Sequence, residues 1–111
     1  MKGTVQKGER RGSELGFPTA NIPLTDESIS GIYAARARIQ NETPRAAAVF
    51  VDRRRKLLEA HILDFSDDLY GREITIELHK KIREDQAFDD AVSLREAIAA
   101  DVKAVRAYFQ L

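Results

Sequence analysis

The densest grouping of chemically capable residues is Gly8-Glu9-Arg10-Arg11-Gly12-Ser13-Glu14-Leu15-Gly16-Phe17-Pro18-Thr19-Ala20-Asn21. Glycines let a backbone come close to a polyphosphate, and an arginine answers its charge. The Thr19 hydroxyl and the Asn21 amide oxygen are neutral oxygens of the kind that hold magnesium. No Gly-Lys-Ser/Thr follows, so this is not a Walker loop. The same composition also suits a plain surface connector.

A second grouping is Leu58-Glu59-Ala60-His61-Ile62, followed by Asp67-Asp68-Leu69-Tyr70-Gly71. Strand alternation puts Glu59 and His61 on one face and Leu58, Ala60 and Ile62 on the other. A carboxylate fixed on a strand can take the proton of a substrate hydroxyl, although both residues also fit the solvated side of a sheet. Two zinc ligands are too few for a zinc site. A third grouping, Ile82-Arg83-Glu84-Asp85-Gln86-Ala87-Phe88, ends on an aromatic that could cover a flat ligand or staple the next helix to the core. Arg53-Arg54-Arg55-Lys56 reads as a solvated hairpin tip. No stacking aromatics are interleaved with it, so nucleic-acid binding is not expected.

Elements must position these groups. Residues 8–30 carry three glycines and two prolines and fit neither helical nor strand periodicity, which predicts a long structured loop of the binding type. From residue 31 to about 79 the apolar residues alternate: Tyr33, Ala35, Ala37, Ile39; Ala47, Val49, Val51; Leu58, Ala60, Ile62; Ile74, Ile76, Leu78. Polar turns at 41–44, 52–55 and 66–68 separate the runs. With residues 4–7 as an opening strand, five or six short strands predict an antiparallel sheet that closes into a barrel. Ser93 and Glu96 have the spacing of a capping box. Leu94, Ile98, Val102, Val105 and Phe109 then predict a helix over about 93–109, packed on the barrel.

At 111 residues with 43% hydrophobic content, the chain is the size of one domain with one core. Eighteen basic residues balance eighteen acidic ones, so no net field draws it to nucleic acid or to an anionic membrane. No apolar run reaches membrane-spanning length and no signal-peptide core follows Met1, which predicts a cytoplasmic protein. The absence of cysteine excludes disulfides and thiolate chemistry, and two histidines are too few for a histidine-rich metal centre.

Taken in order, the motifs resemble the riboflavin kinase family, including the carboxy-terminal kinase domain of bacterial bifunctional FAD synthetases. The resemblance runs through Gly3-Thr4-Val5, Gly8, Arg11-Gly12, Leu15-Gly16-Phe17-Pro18-Thr19-Ala20-Asn21-Ile22, Gly31-Ile32-Tyr33-Ala34, Leu58-Glu59-Ala60-His61, Asp64-Phe65, Asp68-Leu69-Tyr70-Gly71, Ile82-Arg83, Phe88 and Asp101. The Phe-Pro-Thr-Ala-Asn run followed by Asp-Leu-Tyr-Gly is its most specific part. It implies a six-stranded antiparallel Greek-key barrel with a C-terminal helix, which transfers the γ-phosphoryl group of ATP to the 5′-hydroxyl of riboflavin to give FMN and ADP. By this resemblance Glu59 is the catalytic base, and Thr19 and Asn21 hold the magnesium that comes with ATP. Gly8, Arg11 and Gly12 cover the phosphates, Leu69 and Tyr70 lie beside the adenine, and Arg83 and Phe88 shape the flavin site.

The resemblance also implies a monomer, or a domain fused to an adenylyltransferase. No adenylyltransferase motif is present, so FAD synthesis is not expected of these residues. One departure stands out. Between two central strands the family carries Asn-Ile-Gly and Pro-Thr-Phe with a longer loop, where this chain has only Val49-Phe50-Val51-Asp52-Arg53-Arg54-Arg55-Lys56. The shortened 49–56 hairpin leaves open a second reading, a module that binds flavin and nucleotide without turnover.

Overall fold

The computed structural model of the chain describes residues 1–7 and 14–111. Among these, six strands follow one another: β1 (Lys2–Thr4), β2 (Ala20–Pro23), β3 (Gly31–Ile39), β4 (Arg45–Asp52), β5 (Leu57–Ile62) and β6 (Glu73–Arg83). They pair in the order β1-β6-β3-β4-β5-β2, every neighbour antiparallel. The return of β6 to a place between β1 and β3 is the non-sequential pairing of a Greek key. The outer strands then meet, the Gln6 N–H donating to the Asn21 carbonyl at 2.8 Å, and the sheet curls into a nearly closed barrel. Gly3 permits this approach, because a Cβ there would come within 3.1 Å of the Ile22 Cβ.

The expected alternation sets the interior. Ala35, Ala37 and Ile39, Ala47, Val49 and Val51, Leu58, Ala60 and Ile62, and Ile74 and Ile76 form one buried cluster, with Tyr33 and Leu78 packed against it. Outside the barrel, helix α1 (Ala91–Phe109) lies over Ala34 of β3 and Ala48 of β4. Both alanines are fully buried beneath Val105, and their small side chains let the helix come close. Burying Val105 completely stabilises the docked helix by about 1.5–3 kcal/mol.

Three local expectations change. The 8–30 segment is not loop throughout, since residues 20–23 form β2. Only Ala20 and Ile22 of that strand face the core, too few for a visible period, and its backbone pairing comes from the distant β5. The opening strand is Lys2–Thr4 rather than 4–7. Beyond it, Val5 donates its N–H to the Arg72 carbonyl and only Gln6 bridges to β2. The helix starts at Ala91 because Asp90, not Ser93, is the cap: Asp90 has extended backbone and accepts from the Ser93 N–H. The left-handed Gln110 closes the other end, donating its N–H to carbonyls of the last turn.

Candidate active site

Residues paired across an antiparallel ladder point to the same side of the sheet. Asn21 of β2 is paired with Glu59 of β5, and Glu59 in turn with Phe50 of β4. Their neighbours Ile22, Leu58 and Val49 fill the core, so Asn21, Glu59 and Phe50 look outward. Thr19, two residues before Asn21, shares that face. Its hydroxyl donates to the Asn21 Oδ1 at 3.3 Å. The Pro18 carbonyl accepts a hydrogen bond from the His61 Nδ1 at 2.8 Å, and Phe17 meets the His61 ring edge-on at 5.4 Å. Strand β5 thereby holds the segment that carries Thr19.

Two cavities share Thr19 as a common wall among the described residues. The first, of about 500 Å³, runs from Thr19 and Glu59 over Phe17, Phe50 and Ile32 to Phe88 and to Leu94 and Ile98 of α1. Its walls combine these apolar side chains with charged ones, Asp52, Arg53, Arg54, Arg83 and Asp85 among them. The second, of about 550 Å³, lies on the other side of Thr19 and takes in Asn21, Lys7, the 65–68 turn, Leu69 and Tyr70. Leu69 is buried in the core, whereas Tyr70 is 57% exposed, with the Lys7 Nζ 5.4 Å from the centre of its ring.

The sequence-predicted residues therefore separate. Glu59, Arg83 and Phe88 line the first cavity, Asn21, Leu69 and Tyr70 line the second, and Thr19 touches both. Gly8, Arg11 and Gly12 lie outside the described residues. Arg83 lines the first cavity, yet its guanidinium is committed to a bidentate pair with Asp101 of α1 at 2.8 Å and 2.8 Å. The Asp101 side chain is 3% exposed and that of Arg83 25%, and the pair ties the end of β6 to the middle of the helix. Gly31 makes this possible: it sits at φ +93, and a Cβ there would lie 2.5 Å from the Arg83 carbonyl oxygen. The sequence reading noted Asp101 without its partner, and it left Arg53 and Arg54 on a solvated tip, although both line the first cavity.

The oxygens present suit a hard divalent cation. Adjacent ligands on octahedral magnesium at about 2.0–2.1 Å lie about 2.9 Å from one another, close to the observed Thr19–Asn21 oxygen separation of 3.3 Å. Among the described residues no three of His, Cys, Asp and Glu gather into a metal cage. Such an ion would therefore take its remaining ligands from phosphate and water.

The riboflavin kinase family model matches residues 1–109. The bifunctional riboflavin kinase/FMN adenylyltransferase of Escherichia coli (strain K12) is 37% identical over 119 positions, covering 100% of this chain and 38% of the relative. Two solved structures are similar in fold. A chain of Streptococcus pneumoniae titled a macrolide-efflux protein has TM-score 0.82 and 29% identity, over 95% of this chain and 37% of that one. The riboflavin kinase of Trypanosoma brucei has TM-score 0.69 and 26% identity, over 98% and 78%. A barrel of this topology with these two cavities is that of a phosphotransferase of the flavin class, and the chain belongs to the riboflavin kinase family.

The family binds riboflavin and ATP and generally needs a divalent cation. The chain spans well under half the length of the curated relatives it matches, 18–38% across those in Mycoplasmoides gallisepticum and E. coli. Among the described residues no helix is long and apolar enough to cross a membrane.

Proposed function

We propose that residues 1–111 act as one riboflavin kinase domain, moving the γ-phosphoryl group of ATP to the 5′-hydroxyl of riboflavin. The observation that carries this reading is the pair of cavities meeting at Thr19, with the carboxylate of Glu59 on one side and the amide of Asn21 on the other. The first cavity takes the flavin, with Phe88 and α1 as its lid and wall. The second takes the nucleotide, with adenine beside Leu69 and Tyr70 and the phosphates directed at Thr19. Glu59 accepts the 5′-hydroxyl proton as that oxygen bonds to the γ-phosphorus, and the bond from phosphorus to the bridging oxygen breaks to leave ADP. Thr19 and Asn21 hold the magnesium of the nucleotide, whose chemistry is to neutralise charge on the phosphoryl oxygens. His61 positions Thr19 through the Pro18 carbonyl, and Arg83 positions the 83–88 segment through Asp101. The chain works in the cytoplasm, as a monomer or as part of a longer protein with an adenylyltransferase domain.

The test is incubation with riboflavin, ATP and magnesium, followed by chromatography of the flavins. FMN formed in proportion to enzyme and dependent on ATP is the expected result. Riboflavin and ATP bound with no FMN would point instead to the non-catalytic module that the shortened 49–56 hairpin allows.

A further inference from the structure

The β4–β5 turn is short, and two of its basic residues border the first cavity. Asp52 organises it, accepting from the Arg55 N–H at 3.0 Å and pairing with the Arg55 guanidinium at 4.0 Å. Lys56, at φ 57, completes the reversal and pairs with Glu27 at 3.6 Å. Arg53 and Arg54 are different. Both line the first cavity, both are exposed, and neither has a hydrogen-bond or ion-pair partner among the described residues.

Their distance from the reacting end follows from strand geometry. Glu59 is two residues along β5 from Leu57, which faces Asp52, and Arg53 is one residue further. At about 3.3 Å per residue this places the turn about 10 Å from Glu59, at the far end of the slot. The ribityl chain leaves the middle ring of a flavin, so with the hydroxyl at Glu59 either end of the ring system lies within reach of the turn. Of the two ends, only the pyrimidine end carries hydrogen-bond acceptors that arginines can answer. Its carbonyl edge offers adjacent acceptors, and a guanidinium is a planar donor-only fork.

We propose that Arg53 and Arg54 form a flavin-specificity anchor that donates hydrogen bonds to the C2 carbonyl edge of the isoalloxazine ring at the cavity mouth. The anchor rests on the reading of this cavity as the flavin slot. It makes the short turn a binding element in its own right, and it acts on ground-state affinity rather than on the reacting atoms.

The experiment titrates the full chain with riboflavin and with 2-thioriboflavin, in which a weakly accepting sulfur replaces the C2 oxygen. Wild type is compared with Arg53→Ala/Arg54→Ala, following flavin fluorescence or absorbance, with FMN formation measured separately. Hydrogen bonds from a charged donor predict about tenfold weaker riboflavin binding in the double variant. They also predict that wild type prefers riboflavin over the thio analogue while the variant does not. Arg53→Lys/Arg54→Lys keeps the charge and loses the fork, so it restores only part of the preference. An unaltered melting temperature excludes unfolding as the cause. Equal riboflavin affinity in wild type and double variant, or the same discrimination in both, would overturn the anchor, as would a wild type that binds no riboflavin. Binding is read without turnover, so failure of the kinase reading shows up separately as absence of FMN.

Discussion

Glu59 is held from both sides, by Asn21 in β2 and Phe50 in β4, so its direction is set before any ligand arrives. A positioned base of this kind is worth about 10²–10⁴-fold in rate. Glu59→Gln should lower kcat by about that factor with little change in KM, because the loss falls on the transition state. An unchanged kcat in steady-state assays would remove Glu59 from the proton transfer. Thr19→Ala deletes one of the two paired oxygens and should weaken binding of ATP with magnesium, measured by titration calorimetry, more than binding of riboflavin. Asp90 carries a separate, pH-linked effect. Its bonds to Ser93, the backbone N–H first and the hydroxyl second, hold its carboxyl below the ordinary range. A folded value below the unfolded one, about 3.9, gives a contribution that is present above the unfolded value and lost as pH falls through the folded one. Asparagine caps without titrating. Asp90→Asn should therefore flatten the acid loss of helical circular dichroism below about pH 4, and matching acid profiles would show that the cap is not its source.

Among the elements, β6 and α1 are locked by Arg83 and Asp101, and the 83–88 segment that bears Phe88 hangs between them. Asp101 is buried but Arg83 keeps a quarter of its side chain in solvent, so losing the charged acceptor costs about 1.5–3 kcal/mol. Asp101→Asn should lose that much stability in urea titration and raise KM for riboflavin more than KM for ATP. Equal stability of the two proteins would mean that the pair is replaceable by solvent. What the sequence disclosed follows the same division. Strands β3 to β6 were readable because each turns an unbroken apolar set inward, and α1 because Ile98 and Val105 recur at helical spacing. Strand β2 was not readable: it is four residues long, ends on Pro23, and has its partner far along the chain. The helix start was misplaced by two residues and its cap by three, because Asp90 and Ser93 both precede apolar turns and either could cap. Thr19, Asn21 and Glu59 were identifiable by type and motif, but the cavity wall that Thr19 shares depends on barrel closure, which no local pattern encodes. Arg53 and Arg54 are exposed, as a basic turn predicts, and their place on the wall of the first cavity depends on the helix and the 83–88 segment, which no local pattern sets there.

At the scale of the whole molecule, a charge-balanced barrel carries two cavities that share Thr19 among the described residues, and the proposed reading gives the flavin one and the nucleotide the other. In that reading each substrate has its own set of lining residues. Changes in one cavity should then move one substrate's KM and spare the other's. Tyr70→Ala is expected to raise KM for ATP severalfold and leave riboflavin unaffected, whereas a loss on the flavin side would merge the two sites. The central claim is geometric: flavin and nucleotide occupy opposite sides of Thr19 and face each other across it. A crystal structure with riboflavin, magnesium and a non-hydrolysable ATP analogue tests it most directly. The predicted result has the 5′-hydroxyl within hydrogen-bond reach of the Glu59 carboxylate, about 2.6–3.2 Å, and pointing at the terminal phosphorus. Flavin seated against Tyr70, or a terminal phosphate remote from Thr19 and Asn21, would contradict it.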